Sequence, residues 1–175
     1  MTLLDHVNIR QGTASTSRFS AGNTLPLSKR PFGMSAFAPQ SSWAPNFFHP
    51  ADRALDGVRL THQPSPWVSD FAALLFSPQS GKPYVHRDNI WSGYRPNEAV
   101  LPPAYQALDF LRARAKWRLT PTERAAIVLL DFHESVELPR LMIRPMDQDS
   151  SLRLDPETLR VEGYTTHSTH PVAED

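Results

Sequence analysis

Residues 61–70 (THQPSPWVSD) concentrate side chains that could bind a sugar. They combine a hydroxyl, an imidazole, an amide, an indole and a carboxylate around two prolines. An aromatic ring can cover the apolar face of a pyranose while fixed polar groups bind its hydroxyls. Pro64 and Pro66 restrict the loop, so less conformational entropy is lost on binding. The same residues would also suit a surface loop in which Trp67 packs into the core and His62 bonds a backbone carbonyl.

A second polar segment, residues 21–34 (AGNTLPLSKRPFGM), carries two turn signals, at Gly22-Asn23 and at Gly33. Glycine at such positions lets the backbone approach a ligand closely. The segment has neither the GxGxxG spacing nor the Walker lysine that phosphate-binding loops require. By itself it predicts turns.

The chain shows no complete catalytic or metal-binding set. Solvated acids are expected near one strand end, at Asp131, Glu134 and Glu137. Asp147 and Asp149 resemble the start of a calcium loop, but Leu152 and Thr158 stand where that loop needs glycine and glutamate. HExxH and GxSxG motifs are absent, and there is no cysteine. We therefore predict no catalytic residue and no metal site within these 175 residues.

Composition excludes several classes of function. The net charge is zero and the pI is near 7.1, which argues against nucleic-acid binding and against docking on anionic membranes. No apolar run is long enough to span a bilayer. The first ten residues lack the regions of a signal peptide, and with no cysteine the expected location is the cytoplasm. The 17 prolines favour short extended segments joined by rigid loops.

The clearest element is a long hairpin in the second half of the chain. Residues 111–119 (LRARAKWRL) alternate apolar and basic side chains, which predicts a half-buried antiparallel strand. A turn is expected at residues 120–123 (TPTE). Residues 125–132 (AAIVLLDF) are mostly apolar and predict a strand covered on both faces.

Further short strands complete the predicted fold. We expect them at residues 71–76, between Pro66 and Pro78, at residues 138–145, and as a small hairpin of residues 152–154 and 159–161. Strands at this spacing predict an all-β, antiparallel sandwich of two packed sheets, with residues 1–175 as a single domain. Residues 167–175 are not typical of a finished edge strand. We therefore expect the chain to be the front portion of a larger protein.

Taken in order, the motifs of this chain resemble the amino-terminal domain of glycoside hydrolase family 92, the exo-acting α-mannosidases. The ordered series is specific, above all THQPSPW and LTPTER. The resemblance covers residues 12–171 and rests on these stretches: residues 22–26 (GNTLP), 30–34 (RPFGM), Pro39, Trp43, 55–71 (LDGVRLTHQPSPWVSDF), 77–81 (SPQSG), 94–105, 119–127 (LTPTERAAI) and 154–164 (LDPETLRVEGY).

The resemblance implies a β-sandwich followed by an (α/α)6 barrel, with an inverting mechanism that uses calcium. In the family both catalytic carboxyl groups and the calcium ligands belong to the barrel. This chain would then be inactive alone and would bind no calcium itself, although the full-length enzyme would. The implied partners are a mannose-containing glycan, with α-1,2 linkage expected, and the catalytic barrel of the same polypeptide.

The resemblance also implies which residues face the sugar. By motif position they are Asn23, Thr24, Trp43, His62, Trp67 and Asp70. Asn23 and Asp70 would bind hydroxyls, and one of the two tryptophans would pack on the ring. Many relatives have glycine beside the acidic-aromatic pair, whereas Ser69 and Ala72 flank Asp70-Phe71 here. A loop of different shape would weaken the role of Asp70.

Two other functions fit the same residues. Four Trp, nine Phe and four Tyr would also suit a free-standing carbohydrate-binding module that needs no barrel. A non-catalytic scaffold protein is the third possibility, because fold alone does not fix function. If a barrel is missing, the sandwich should expose apolar surface and could self-associate through it.

Overall fold

The computed structural model describes residues 3–14, 24–41, 47–61, 73–146 and 149–165. Within them the chain forms a short 3-10 helix, Leu3–His6, and eleven strands. The strands are β1 Ala36–Gln40, β2 Ala54–Leu55, β3 Gly57–Thr61, β4 Leu74–Ser80, β5 Ser92–Gly93, β6 Gln106–Phe110, β7 Ala115–Pro121, β8 Ala126–Phe132, β9 Pro139–Pro145, β10 Ser151–Asp155 and β11 Arg160–Tyr164. In these described ranges no helix is long and apolar enough to cross a membrane.

The strands form two main sheets, ordered β1-β3-β4-β9 and β6-β7-β8, and two small ones, β2-β5 and β10-β11. Every pairing between them is antiparallel. The core joins Phe37 and Val58 of the first main sheet to Leu108 and Trp117 of the second. The predicted all-β antiparallel sandwich is therefore confirmed, whereas a single domain over residues 1–175 stays a prediction.

The alternating segment forms a strand over part of its predicted length. In β7 the side chains of Ala115, Trp117 and Leu119 are buried, as the pattern predicts. Residues 111–114 instead form the turn from β6 to β7, so a strand that begins at Leu111 is wrong. The amide of Arg114 donates to the carbonyl of Leu111 at 3.2 Å, and Arg114 has a φ of 52°. This left-handed residue reverses the chain, which an alternating pattern cannot reveal.

The hairpin of β7 and β8 is confirmed, but the prediction that β8 is covered on both faces is wrong. Pro121 pairs with Ala126, so residues 122–125 make the turn. Ile127 is 67% exposed and Leu129 is 52% exposed. Of the described strands only β7 pairs with β8, so β8 lies at the edge of its sheet. Apolar side chains are therefore exposed on this strand. That such a surface faces a missing barrel, and self-association through it, stay predictions.

The predicted strand before Pro78 is found, but it does not end at that proline. β4 runs from Leu74 through Pro78 to Ser80 and pairs with β9 along its whole length. Its pairing with β3 covers only residues 74–76. At Pro78, therefore, β4 is paired with β9 on one side and with no described strand on the other. Proline, which has no N–H to donate, is tolerated at such an edge position. Phe71 and Ala72 lie outside the described residues.

The two other predicted elements, residues 138–145 and the small hairpin, lie close to their predicted positions, whereas β1, β2, β3, β5 and β6 are strands that the sequence did not predict. β9 is the expected strand that ends at proline, and β10 with β11 forms the expected hairpin. The carboxylate of Asp155 accepts bonds from the amides of Glu157 and Thr158, which fixes the hairpin turn. Leu159 belongs to that turn, with a φ of 54°, and not to the second strand. Residues 167–175, expected to lack a finished edge strand, are outside the described residues.

Candidate functional site

Of the six residues predicted to face a sugar, Thr24 is within the described part of the chain. Asn23, Trp43, His62, Trp67 and Asp70 lie outside it. The described residues on either side of these positions show where each predicted segment attaches to the sandwich.

Thr24 attaches the segment that ends at Asn23 to the start of the chain. Its hydroxyl donates to the backbone carbonyl of Gln11 at 2.8 Å, and its side chain is exposed. The next residue, Leu25, packs with Phe47 and Phe48 in a small apolar cluster on the outer face of the first main sheet. The segment bearing Asn23 therefore attaches next to the residue that follows positions 42–46.

The two described residues that flank positions 42–46, which we call the Trp43 segment, are bonded to each other. The amide of Ser41 donates to the carbonyl of Phe47 at 2.9 Å, which closes the segment at its base. The hydroxyl of Ser41 donates to Asp52 at 2.5 Å and accepts a bond from the amide of His49 at 3.0 Å. The two ends are thereby fixed beside Leu25, so the segments bearing Asn23 and Trp43 attach side by side.

A buried polar group under this base was not found from the sequence. The side chain of Gln40 accepts a bond from Arg59 and donates to the carboxylate of Asp56 at 3.0 Å. The guanidinium of Arg59 also lies 4.3 Å from the centre of the Phe47 ring. All three polar residues are less than 10% exposed. We call Gln40, Asp56 and Arg59 the Arg59 network. The sequence signal that could have revealed it is a charged residue, Arg59, between the apolar residues Val58 and Leu60 of β3.

Tyr94 adds a second buried polar group at this end of the fold. It is 5% exposed, and its hydroxyl has no hydrogen-bond partner among the described residues. Burial raises the pKa of Tyr94 to about 12, and the negative charge of Asp52 adds to the effect, while Arg10 and Arg53 oppose it. The phenol therefore stays neutral near pH 7 and acts as neither a base nor a nucleophile.

The segment of residues 62–72 attaches elsewhere. The described residue before it, Thr61, pairs with Ala36 at the start of β1, and the amide of the described residue after it, Ala73, donates to the carbonyl of Leu60. The Trp43 segment instead follows the end of β1. Five residue steps of a strand separate the two points, about 17 Å at 3.3 Å per residue. That all six residues form one sugar site stays a prediction.

An apolar groove of about 430 Å³ lies next to the point where residues 62–72 attach. Leu60, Ala73 and Phe76 line one side of it, and Val161 and Tyr164 of the small hairpin line the other. Tyr164 is 64% exposed, so its ring is accessible. Apolar walls with an accessible aromatic ring can contact the apolar face of a sugar or an apolar side chain.

The acidic side chains near these attachment points are engaged with neighbouring residues. In residues 3–14, 24–41, 47–61, 73–146 and 149–165, no three of His, Asp or Glu come together as metal ligands do. The carboxylates of Asp52 and Asp56 already accept hydrogen bonds from neighbouring side chains.

Comparison with known proteins gives one family. The family model described as the glycosyl hydrolase family 92 N-terminal domain matches residues 6–173. A search of curated proteins found no match in sequence.

Several solved enzymes contain the same fold. The family GH92 inverting mannosidase BT2199 of Bacteroides thetaiotaomicron VPI-5482 is 27% identical, with a TM-score of 0.84 over 93% of this chain and 22% of that chain. The family GH92 α-mannosidase BT3965 of Bacteroides thetaiotaomicron is 23% identical, with a TM-score of 0.63 over 75% of this chain and 19% of that chain. At that identity the second likeness shows the fold alone. The chain spans about a fifth of the length of these enzymes.

Proposed function

This chain belongs to the glycosyl hydrolase family 92 N-terminal domain family, and from that membership we propose that it is the amino-terminal β-sandwich of an inverting, calcium-dependent exo-α-mannosidase of the α-1,2 type. The observation that carries the proposal is the family match over residues 6–173. The fold likeness to an inverting mannosidase over 93% of the chain supports it.

In this proposal the sandwich supplies binding loops and the catalytic domain supplies the chemistry. An inverting glycosidase needs one carboxylic acid at the leaving oxygen and one carboxylate that activates water, about 6.5–9.5 Å apart. Both would belong to the catalytic domain. Calcium would also bind there, as the family resemblance implies.

The share of the sandwich would be to bind the terminal mannose. Asn23 and Asp70 would bind its hydroxyls, while Trp43 or Trp67 would cover its apolar face. Two observations support this share: the base of the Trp43 segment is held by Ser41, and the Arg59 network lies directly beneath it. Loops held at both ends lose less conformational entropy when they bind a ligand.

Two assays test the division of labour. The purified 175-residue chain is incubated with an aryl α-mannoside and with mannobiose in the presence of calcium. We expect no turnover from the chain alone, and turnover when the same chain is joined to its catalytic domain. Clear hydrolysis by the chain alone would show that catalysis does not lie elsewhere.

Titration of mannose into the chain tests the binding share. We expect weak binding that is lost in Trp67→Ala and retained in the matched control Trp91→Ala, whose ring is 47% exposed at a different loop. Equal loss in both variants would refute a specific role for Trp67. Tight, saturable binding by the isolated chain, with no association with a catalytic domain, would favour a free-standing carbohydrate-binding module instead.

A further inference from the structure

Phe32 is held in solvent by a strained turn. The amide of Gly33 donates to the carbonyl of Arg30 at 2.9 Å, which closes a four-residue turn with Pro31 second and Phe32 third. Phe32 has a φ of 59° and is 103% exposed. The third position of such a turn normally carries glycine or asparagine, because a larger side chain is strained there. The fold therefore keeps an unfavourable backbone conformation and, in the described residues, buries no ring in return.

This turn is rigid because a second turn is bonded to it. The amide of Met34 donates to the carbonyl of Glu123 at 2.6 Å, and the hydroxyl of Ser35 donates to the carbonyl of Arg124 at 3.1 Å. A Cβ on Gly33 would lie 3.3 Å from the carbonyl oxygen of Glu123, so glycine allows this close approach. The two motifs RPFGM and LTPTER, both part of the family resemblance, meet at this point.

The surroundings of Phe32 have the chemistry of a protein interface. Met34 is 62% exposed, and both arginines of the two turns, Arg30 and Arg124, are also exposed. Arg30 and Arg124 line an open cleft of about 570 Å³ beside the turns. Aromatic residues, methionine and arginine are enriched in protein interfaces, and a pre-organised anchor loses little entropy on binding.

We propose that Phe32 and Met34, flanked by Arg30 and Arg124, form a docking knob that inserts into an apolar pocket with a carboxylate-bearing rim on the catalytic domain of the same polypeptide. This inference rests on the proposed function, which supplies that domain. In the solved inverting mannosidase, the part similar to this chain is 22% of the whole, so most of that polypeptide lies outside it. Glu123 is exposed and lines the same cleft as Arg30 and Arg124, so a second copy of this chain would also offer a carboxylate to the guanidinium groups, and the oxidation test below separates the two occupants.

The test measures the accessibility of Met34 in the chain alone and in the polypeptide that joins the chain to its catalytic domain. Oxidation of Met34 by dilute peroxide is followed by peptide mass spectrometry. We expect it to be at least tenfold slower in the joined polypeptide. Equal rates in the two proteins would overturn the proposal. Protection that grows with the concentration of the 175-residue chain would assign the knob to a second copy and would also overturn it.

A matched pair of variants separates docking from local strain. Phe32→Gly and Leu159→Gly each remove an exposed apolar side chain from a position of positive φ. In the chain alone both should raise the Tm, by about 2–4 °C. In the joined polypeptide only Phe32→Gly should restore Met34 oxidation to the rate of the free chain. If Leu159→Gly does the same, or if neither does, the knob is refuted.

Hydrolysis of the aryl α-mannoside in the same samples distinguishes the two proposals. An active joined polypeptide with unprotected Met34 refutes the knob and leaves the proposed function standing. Protected Met34 in a joined polypeptide that hydrolyses no mannoside supports the knob and refutes the proposed function. Double substitution of Arg30 and Arg124 by glutamine should increase Met34 oxidation severalfold at low salt and have less effect at high salt. No difference between the two salt conditions would overturn the carboxylate rim.

Discussion

Replacement of Arg59 by methionine tests whether the buried polar network stabilises the base of the Trp43 segment. Arg59 is 4% exposed, donates to Gln40 and lies 4.3 Å from the ring centre of Phe47. Methionine keeps much of the length of the side chain, but it removes the charge and the donors. The substitution therefore leaves the side-chain oxygen of Gln40 without the charged donor that Arg59 provides.

The expected cost follows from burial. Loss of a buried hydrogen bond from a charged donor costs about 1.5–3 kcal/mol. For a chain of this size each kcal/mol shifts the Tm by about 2–4 °C, so Arg59→Met should lower the Tm by roughly 3–12 °C. Arg59→Lys keeps the positive charge but loses the planar guanidinium group. Its Tm should lie between that of Arg59→Met and that of the wild type.

Thermal and urea unfolding followed by circular dichroism measure the effect. Arg118→Met is the matched control, because Arg118 pairs with Asp131 at 2.5 Å on the surface, where the two side chains are 40% and 56% exposed. An exposed pair of this kind contributes about 0–1 kcal/mol. If Arg59→Met costs no more than Arg118→Met, the network does not stabilise the fold, and our account of the base is wrong.

Three further predictions concern other parts of the molecule. The pKa of Tyr94 is about 12 in the folded chain and about 10 in the unfolded chain. The contribution of Tyr94 to the free energy of unfolding is therefore complete below pH 10, and it falls by about 2–3 kcal/mol as the pH rises from 10 to 12. Tyr94→Phe should remove that loss in urea unfolding across this range, and an unchanged pH profile would contradict the assignment. Gly57→Ala would place a Cβ 2.3 Å from the carbonyl oxygen of Phe76 inside the sheet and should unfold the chain at ordinary temperature. At Gly81, with open space and a φ of 67°, alanine should cost only about 1 kcal/mol, and similar losses at the two glycines would refute the steric reason. Light scattering should show self-association through the exposed face of β8 that weakens in Ile127→Lys, whereas a clean monomer would count against it.

The sequence alone predicted most of the regular structure and the family. The alternation in β7 gave a strand with one buried face, and the turn residues after it located its hairpin with β8, whereas the hairpin of β6 and β7 was not predicted. The ordered motifs gave the glycosyl hydrolase family 92 N-terminal domain, which the family match over residues 6–173 confirms. These features are local, because each depends on side-chain periodicity or turn chemistry within a few residues.

The candidate site was less accessible to sequence reasoning. The motif positions named six residues that would face a sugar. Their spacing in the sequence does not show which of the segments that carry them attach to the sandwich next to each other. The antiparallel register of β1 and β3 brings Thr61 next to Ala36 and leaves Ser41 at the other end of β1. The Arg59 network was missed for a related reason, since its members become partners only when β1 and β3 pair.

What the sequence determined by itself is therefore the strand pattern, the hairpins and the family. What only the tertiary structure decided is which faces are covered and which segments meet. β8 has the composition of a buried strand, yet Ile127 and Leu129 are exposed because no described strand packs on their face. Phe32 is of a residue type that is usually buried, yet a turn with a positive φ, bonded to a second turn, holds its ring in solvent. Burial depends on distant parts of the chain that pack on a residue, and a local pattern contains no record of them.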